Sequence, residues 1–106
     1  MKDKRVEFIL CRYSKGDHGD YHWHPDVDEY EIVIEGKIGY KDALTGETVW
    51  FEKGDFSYIP AGLCVRRIVV EKSITVAIKV PSKDDKVTCN VCPYREECPI
   101  GSEDDV

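Results

Sequence analysis

Residues 16–36 read GDHGDYHWHPDVDEYEIVIEG, and the first nine of them hold all three histidines of the chain, His18, His22 and His24. One residue separates His22 from His24, and Glu29 follows five positions later. Side chains on a strand alternate with period two, so an H-x-H pair presents both imidazoles on one face. Two neutral imidazoles and a carboxylate suit Fe, Mn, Zn, Ni or Cu. In isolation the same residues read as two surface histidines beside an acidic loop. What surrounds them decides between the two.

The 106 residues amount to one domain, with room for a single modest core. At 42% hydrophobic and 34% charged the composition is globular, and the net charge of −6 disfavours nucleic acid or an anionic membrane as partner. The basic start MKDKRVEF has no long apolar run behind it, so neither a signal peptide nor a transmembrane helix is expected. A cytoplasmic location follows as the expectation. Asparagine occurs once and glutamine never, a balance that hints at a thermophilic source.

The body, residues 1–81, carries seven β-type runs: 6–13, 30–36, 37–43, 47–52, 56–60, 65–71 and 73–80. The turn signals SKGDHGD, LTGE, EKGD, PAG and EKS punctuate them, and no window shows helical periodicity. Short strands at this spacing predict an all-β antiparallel sandwich or barrel. VRRIVV and ITVAIKV, joined by a tight turn near Lys72, read as a hairpin. Residues 82–106 differ in character and read as a Cys-rich tail, not an independent domain.

The spacing Gly16, five residues, His22, one residue, His24, four residues, Glu29, six residues, Gly36 resembles the first motif of the cupin family. Gly54, five residues, Pro60, one residue, Gly62 is similar to the start of the second cupin motif. The resemblance covers residues 6–80. It implies a small jelly roll, or double-stranded β-helix, and a homodimer formed through edge strands. It also implies a divalent transition metal (Fe, Mn, Zn or Ni) held by His22, His24 and Glu29.

One position departs from the pattern. A fourth ligand, a histidine, is expected three residues after Gly62, where this chain has Val65. Three consequences stand open: three-residue ligation with open coordination positions, as in non-haem Fe(II) sites; substitution by Cys64 or His18; or a weakened site. Three-residue ligation is the preferred reading. Glu31 shares the parity of Glu29 and is a candidate pocket residue, as are Tyr58, Val65 and Arg67. Core is the simpler role for Tyr58, Trp50 and Phe56. If Val65 faces inward, Arg67 does too and could receive a carboxylate or phosphate. The simpler alternative, an outward solvated Arg67 beside Arg66, is preferred.

The tail contains C-x2-C-x5-C at Cys89, Cys92 and Cys98. Free thiols or a disulfide are the plain readings, and zinc or a [4Fe–4S] cluster the sharper ones. The spacing is similar to the cluster-binding loop of endonuclease III-type DNA glycosylases, which speaks to a cofactor and not to DNA. A fourth thiolate would come from Cys64, brought beside the tail by the expected hairpin, or else from Cys11.

Two functions are thus expected to compete. One is a metal-dependent cupin acting on a small molecule as a dioxygenase or isomerase. The other is a non-enzymatic small-molecule, redox or metal-sensing module with a Cys-bound centre.

Overall fold

The computed structural model describes residues 4–88, which form nine strands. They are β1 Glu7–Tyr13, β2 His22–Trp23, β3 Asp28–Glu35, β4 Lys37–Asp42, β5 Thr48–Glu52, β6 Phe56–Ile59, β7 Val65–Val69, β8 Ser73–Val80 and β9 Val87–Thr88. Two antiparallel sheets result. One is ordered β1-β8-β3-β6 and the other β5-β4-β7-β2-β9. This is the all-β jelly roll expected from the sequence, and each of the seven β-type runs holds a strand. No helix among the described residues is long and apolar enough to cross a membrane.

Register explains where the core and the pocket lie. In the first sheet Glu7, Lys79 and Glu29 share one row, Ile9, Ala77 and Glu31 the next, and Cys11, Thr75 and Val33 the third. In the second sheet His22 lies opposite Val65, Tyr40 opposite Arg67 and Ile38 opposite Val69. Alternation turns these side chains toward the space between the sheets. Val33, Ile38 and Val69 close one end of it as a dry cluster backed by Tyr13, Tyr40 and Phe51. Toward the other end the rows turn polar, and a pocket opens.

The expected hairpin between residues 65 and 80 does not form. β7 lies between β4 and β2, and β8 between β1 and β3, so neither strand has an edge left for the other. Each has its own inward face instead, Val65 and Val69 on β7 and Ser73 and Thr75 on β8, all buried. The chain therefore crosses from one sheet to the other at residues 70–72. The proximity of Cys64 to residue 80 drawn from that hairpin falls with it. Past residue 81 the sheet continues, because β9 pairs with β2.

Gly36 makes the tight β3–β4 connection at φ +89°, and Gly54 has the same φ at the β5–β6 turn. A β-carbon on Gly36 would collide with Ser73 Oγ and stand 2.5 Å from Lys72 O, whereas one on Gly54 meets open space. Gly54→Ala is expected to cost about 1–2 kcal/mol from the left-handed backbone alone. Gly36→Ala, which adds overpacking of about 1–3 kcal/mol, is expected to cost clearly more. Urea unfolding of both variants measures the difference, and equal midpoints would contradict the packing described for Gly36.

Candidate metal centre

β2 is short, but it aims its histidine as the H-x-H pattern requires. His22, His24, Glu29, Glu31, Tyr40 and Arg67 line one pocket of about 210 Å³ between the two sheets. The two imidazoles stand edge to face with ring centres 5.6 Å apart. Two backbone amides fix the loops that present them, one on a carbonyl and one on a carboxylate. Gly62 N donates to His24 O at 2.8 Å, and Ala61 N donates to Asp28 Oδ1 at 2.8 Å. The Pro-Ala-Gly turn thus supports the segment that carries the histidines.

The hydrogen bonds of the imidazoles determine what each ring offers to the pocket. His22 Nδ1 lies 3.0 Å from Asp20 O. A carbonyl only accepts, so Nδ1 is the protonated nitrogen and Nε2 keeps its lone pair. Burial lowers the pKa of His22, which favours the neutral ring. His24 is 6% exposed and lies between two carboxylates, with Nδ1 2.7 Å from Asp85 Oδ1 and Nε2 2.8 Å from Glu29 Oε1. The hydrogen bond to Glu29, against the cost of burial and with help from Asp85, raises its pKa. Burial pushes Glu29 upward, but the His24 hydrogen bond and neighbouring positive charge outweigh it, and its pKa falls.

Asp85 is the functional residue that sequence reasoning missed. Its Oδ1 accepts from His24, while its Oδ2 accepts from the amides of Asp26 at 2.8 Å and Val27 at 3.1 Å. Burial opposes ionisation of Asp85, yet these amides and His24 leave its pKa lowered. A carboxylate behind a ligand imidazole fixes the ring's orientation and tautomer. Asp85 sits in a run of charged residues, KDDK at 83–86, with no spacing relation to the histidines, so nothing local in the sequence marks it.

Deeper in the pocket Glu31 ties the two sheets together. Its Oε1 accepts from Tyr40 OH on β4, and its Oε2 accepts from Thr75 Oγ1 on β8 at 2.6 Å. Burial raises the Glu31 pKa despite these two donors, and burial likewise raises that of Tyr40. Arg67 faces inward, against the preferred outward reading, because it has the parity of the buried Val65 and Val69. Its guanidinium carbon lies 4.1 Å from the centre of the Tyr13 ring. Arg66 faces the other way, donating from Nε to Gly19 O and from Nη2 to His18 Nδ1. That contact holds His18 outside the pocket.

Other expected positions differ as well. Val65 is 3% exposed and borders a separate cavity of about 290 Å³ with Phe51, Ile59 and Leu63. It packs there as core and leaves His22 without a fourth donor across the strand pair. Tyr58 is 52% exposed, since its parity on β6 turns it outward, where it stacks on Tyr30. Its neighbour Phe56 is exposed on the same face, and Trp50 is exposed as well, so none of the three is core. Cys64 packs against Tyr21 and Ala43, and Cys11 lines the histidine pocket. Cys89, Cys92 and Cys98, with the cluster or zinc expected there, lie outside the described residues.

Among the described residues no three His, Cys, Asp or Glu side chains are already arranged as a coordination sphere. His24 and Glu29 are instead hydrogen-bonded to each other. The donor chemistry nevertheless fits a divalent metal. Both Nδ1 atoms are engaged by oxygen, and both Nε2 atoms are left to the pocket side with Glu29.

A family model described as the EutQ-like cupin domain matches residues 7–83. A Klebsiella pneumoniae protein with a double-stranded β-helix domain superposes with a TM-score of 0.73 at 18% identity, over 83% of this chain and 77% of that one. KdgF from Halomonas sp. superposes at 0.71 and 20% identity, over 80% and 76%. A putative ethanolamine utilization protein Q from Salmonella typhimurium LT2 gives 0.63 at 19%, over 74% of this chain and 60% of that one. None of the curated proteins matches this chain in sequence.

Removal of the Asp85 carboxylate would strand the His24 Nδ1–H and two amides. Asp85→Ala is expected to destabilise the fold by roughly 1–3 kcal/mol. Lys83→Ala, which removes only the solvent-exposed pair with Asp26, is expected to leave the unfolding midpoint unchanged. Denaturant titration of the two variants checks the contrast.

Proposed function

This chain belongs to the EutQ-like cupin domain family, and on that premise we propose that it binds a divalent transition metal and presents it to a small molecule. His22 Nε2, His24 Nε2 and the Glu29 carboxylate would hold the ion. The observation that carries the reading is the pair of Nδ1 contacts, to Asp20 O and Asp85 Oδ1, which turns both Nε2 atoms to the pocket, that of His24 onto Glu29 Oε1, the contact an ion would replace. Fe, Mn, Zn and Ni suit this donor set. A bound ion would supply Lewis acidity toward an oxygen of the substrate, in chemistry of the isomerase or dioxygenase class. Three protein donors, with Val65 core-packed where a fourth is expected, leave coordination positions for ligand.

The chain's own groups do the rest. Asp85 orients the His24 ring, Asp20 O orients that of His22, and the Glu31–Tyr40–Thr75 network fixes the pocket floor. The apolar walls below, Val33, Ile38 and Val69, exclude water from the far end. Metal content by mass spectrometry after loading with Zn2+, Mn2+ or Ni2+ tests the reading. About one ion per chain is expected, falling to near zero for His22→Ala and His24→Ala. Asp85→Asn is expected to weaken affinity about 10–100-fold. Unchanged metal content in both histidine variants would defeat the proposal.

The reading also includes a homodimer. The outer face of the four-stranded sheet exposes Phe8, Leu10, Phe56, Tyr58 and Val80, at 67%, 55%, 56%, 52% and 38%. Exposed apolar side chains gathered on one sheet face suit an isologous contact with a second copy. Sedimentation equilibrium is expected to give twice the 12.1 kDa chain mass. Phe8→Lys with Leu10→Lys is expected to give the monomer, and a monomeric wild type would contradict the dimer.

A further inference from the structure

Arg67 has no hydrogen-bond or ion-pair partner among the described residues, and its Nε is a buried donor without an acceptor. Buried donors in folded proteins are nearly always satisfied, and Arg67 lines the histidine pocket, so a guanidinium left without an acceptor there calls for a ligand oxygen. Glu31, the carboxylate one might expect to serve it, is taken instead by Tyr40 and Thr75. Lys79 and Lys86 line the same pocket and likewise make no ion pair among the described residues. The charged lining is three cations, Arg67, Lys79 and Lys86, against three anions, Glu29, Glu31 and Asp84. A divalent ion added to that balance leaves a site that favours an anion.

Position argues the same way. Arg67 lies two residues along β7 from Val65, which pairs with His22. That is about 7 Å along the strand. The Tyr13 ring holds the guanidinium plane in place, and the fork of a fixed guanidinium matches a planar carboxylate in two parallel hydrogen bonds. The pocket volume of 210 Å³ corresponds to about seven waters of liquid. That is room for a molecule of a few carbons.

We propose that Arg67, with Lys79 and Lys86 beside it, is the binding site for the carboxylate of a small organic acid whose other end reaches His22, His24 and Glu29. The inference rests on the pocket of the preceding reading and adds the substrate class. A hydroxy, keto or dicarboxylic acid of three to four carbons meets both ends of the site.

Arg67 Nε–Hε gives a resolvable signal in a 15N-labelled protein of this size. The full chain, loaded with Zn2+, is titrated with malonate, with neutral malonamide, and with inorganic phosphate. Malonate is expected to shift the Arg67 Nε–Hε peak saturably, and malonamide to leave it in place. Arg67→Met is expected to raise the malonate Kd at least tenfold while zinc affinity stays within about twofold. An Arg67 peak unmoved by malonate, or equal malonate affinity in Arg67→Met, overturns the inference. A phosphate response at lower concentration than the malonate response overturns the carboxylate class. Zinc uptake in the same samples reports on the metal separately. Malonate on Arg67 without zinc uptake would uphold this inference and defeat the metal reading, and zinc uptake without a malonate response would do the reverse.

Discussion

The Asp85 carboxylate holds together parts of the chain that sequence keeps far apart. One oxygen fixes His24, and the other takes the amides of Asp26 and Val27, 59 and 58 residues earlier. The same contacts fasten residues 82–88 over the pocket, where β9 adds to β2 by pairing Thr88 with His22 and Val87 with Trp23. A two-residue strand has little stability alone. With β7 on one side and β9 on the other, β2 becomes an interior strand, and its histidine acquires a fixed direction. The orientation of the two imidazoles therefore depends on a segment that contributes almost nothing to the hydrophobic core.

The second constraint is polar as well. Glu31 is 4% exposed and Thr75 fully buried, yet neither is an orphan, because Tyr40 reaches across from the opposite sheet to complete the set. A buried network of this kind is stable only when every member is satisfied. It sets the spacing of the sheets at the depth where Arg67 sits, and it occupies both Glu31 oxygens, so Arg67 acts on Glu31 through charge and not through a hydrogen bond. Below it the interior is aliphatic, above it the pocket carries charge. The barrel thus divides into a dry half that stabilises the fold and a polar half that holds the histidine pocket.

Period-two patterning and Gly/Pro turn chemistry made most of the fold legible in the sequence. Each of β1, β3 through β8 lies within or beside a run rich in β-branched residues, and the glycines at 16, 36, 54 and 62 all have positive φ. The grouping of Glu29 with His22 and His24 was legible only through the resemblance to the first cupin motif, since β2 and β3 lie in different sheets, whereas the shared face of the H-x-H pair follows from a local rule. What failed was what depends on tertiary competition. The 65–80 hairpin is locally reasonable, but both strands find better partners elsewhere, and a linear reading carries no information on occupied edges. Arg67 was misjudged for the complementary reason. A charged residue reads as solvated until the aromatic ring that shelters it, Tyr13 on a strand 54 positions away, is in place. Asp85 left no local mark at all, since its three partners lie 58 to 61 positions upstream.

The central claim is that the chain fixes both imidazoles with Nδ1 turned to its own oxygens and Nε2 turned to the pocket. Long-range 1H–15N correlation spectra of the His22 and His24 rings in the zinc-loaded chain read this directly. The account predicts a proton on Nδ1 of both rings and zinc on both Nε2 atoms. A proton on Nε2 of either ring, with zinc on Nδ1 or absent from that ring, would contradict it.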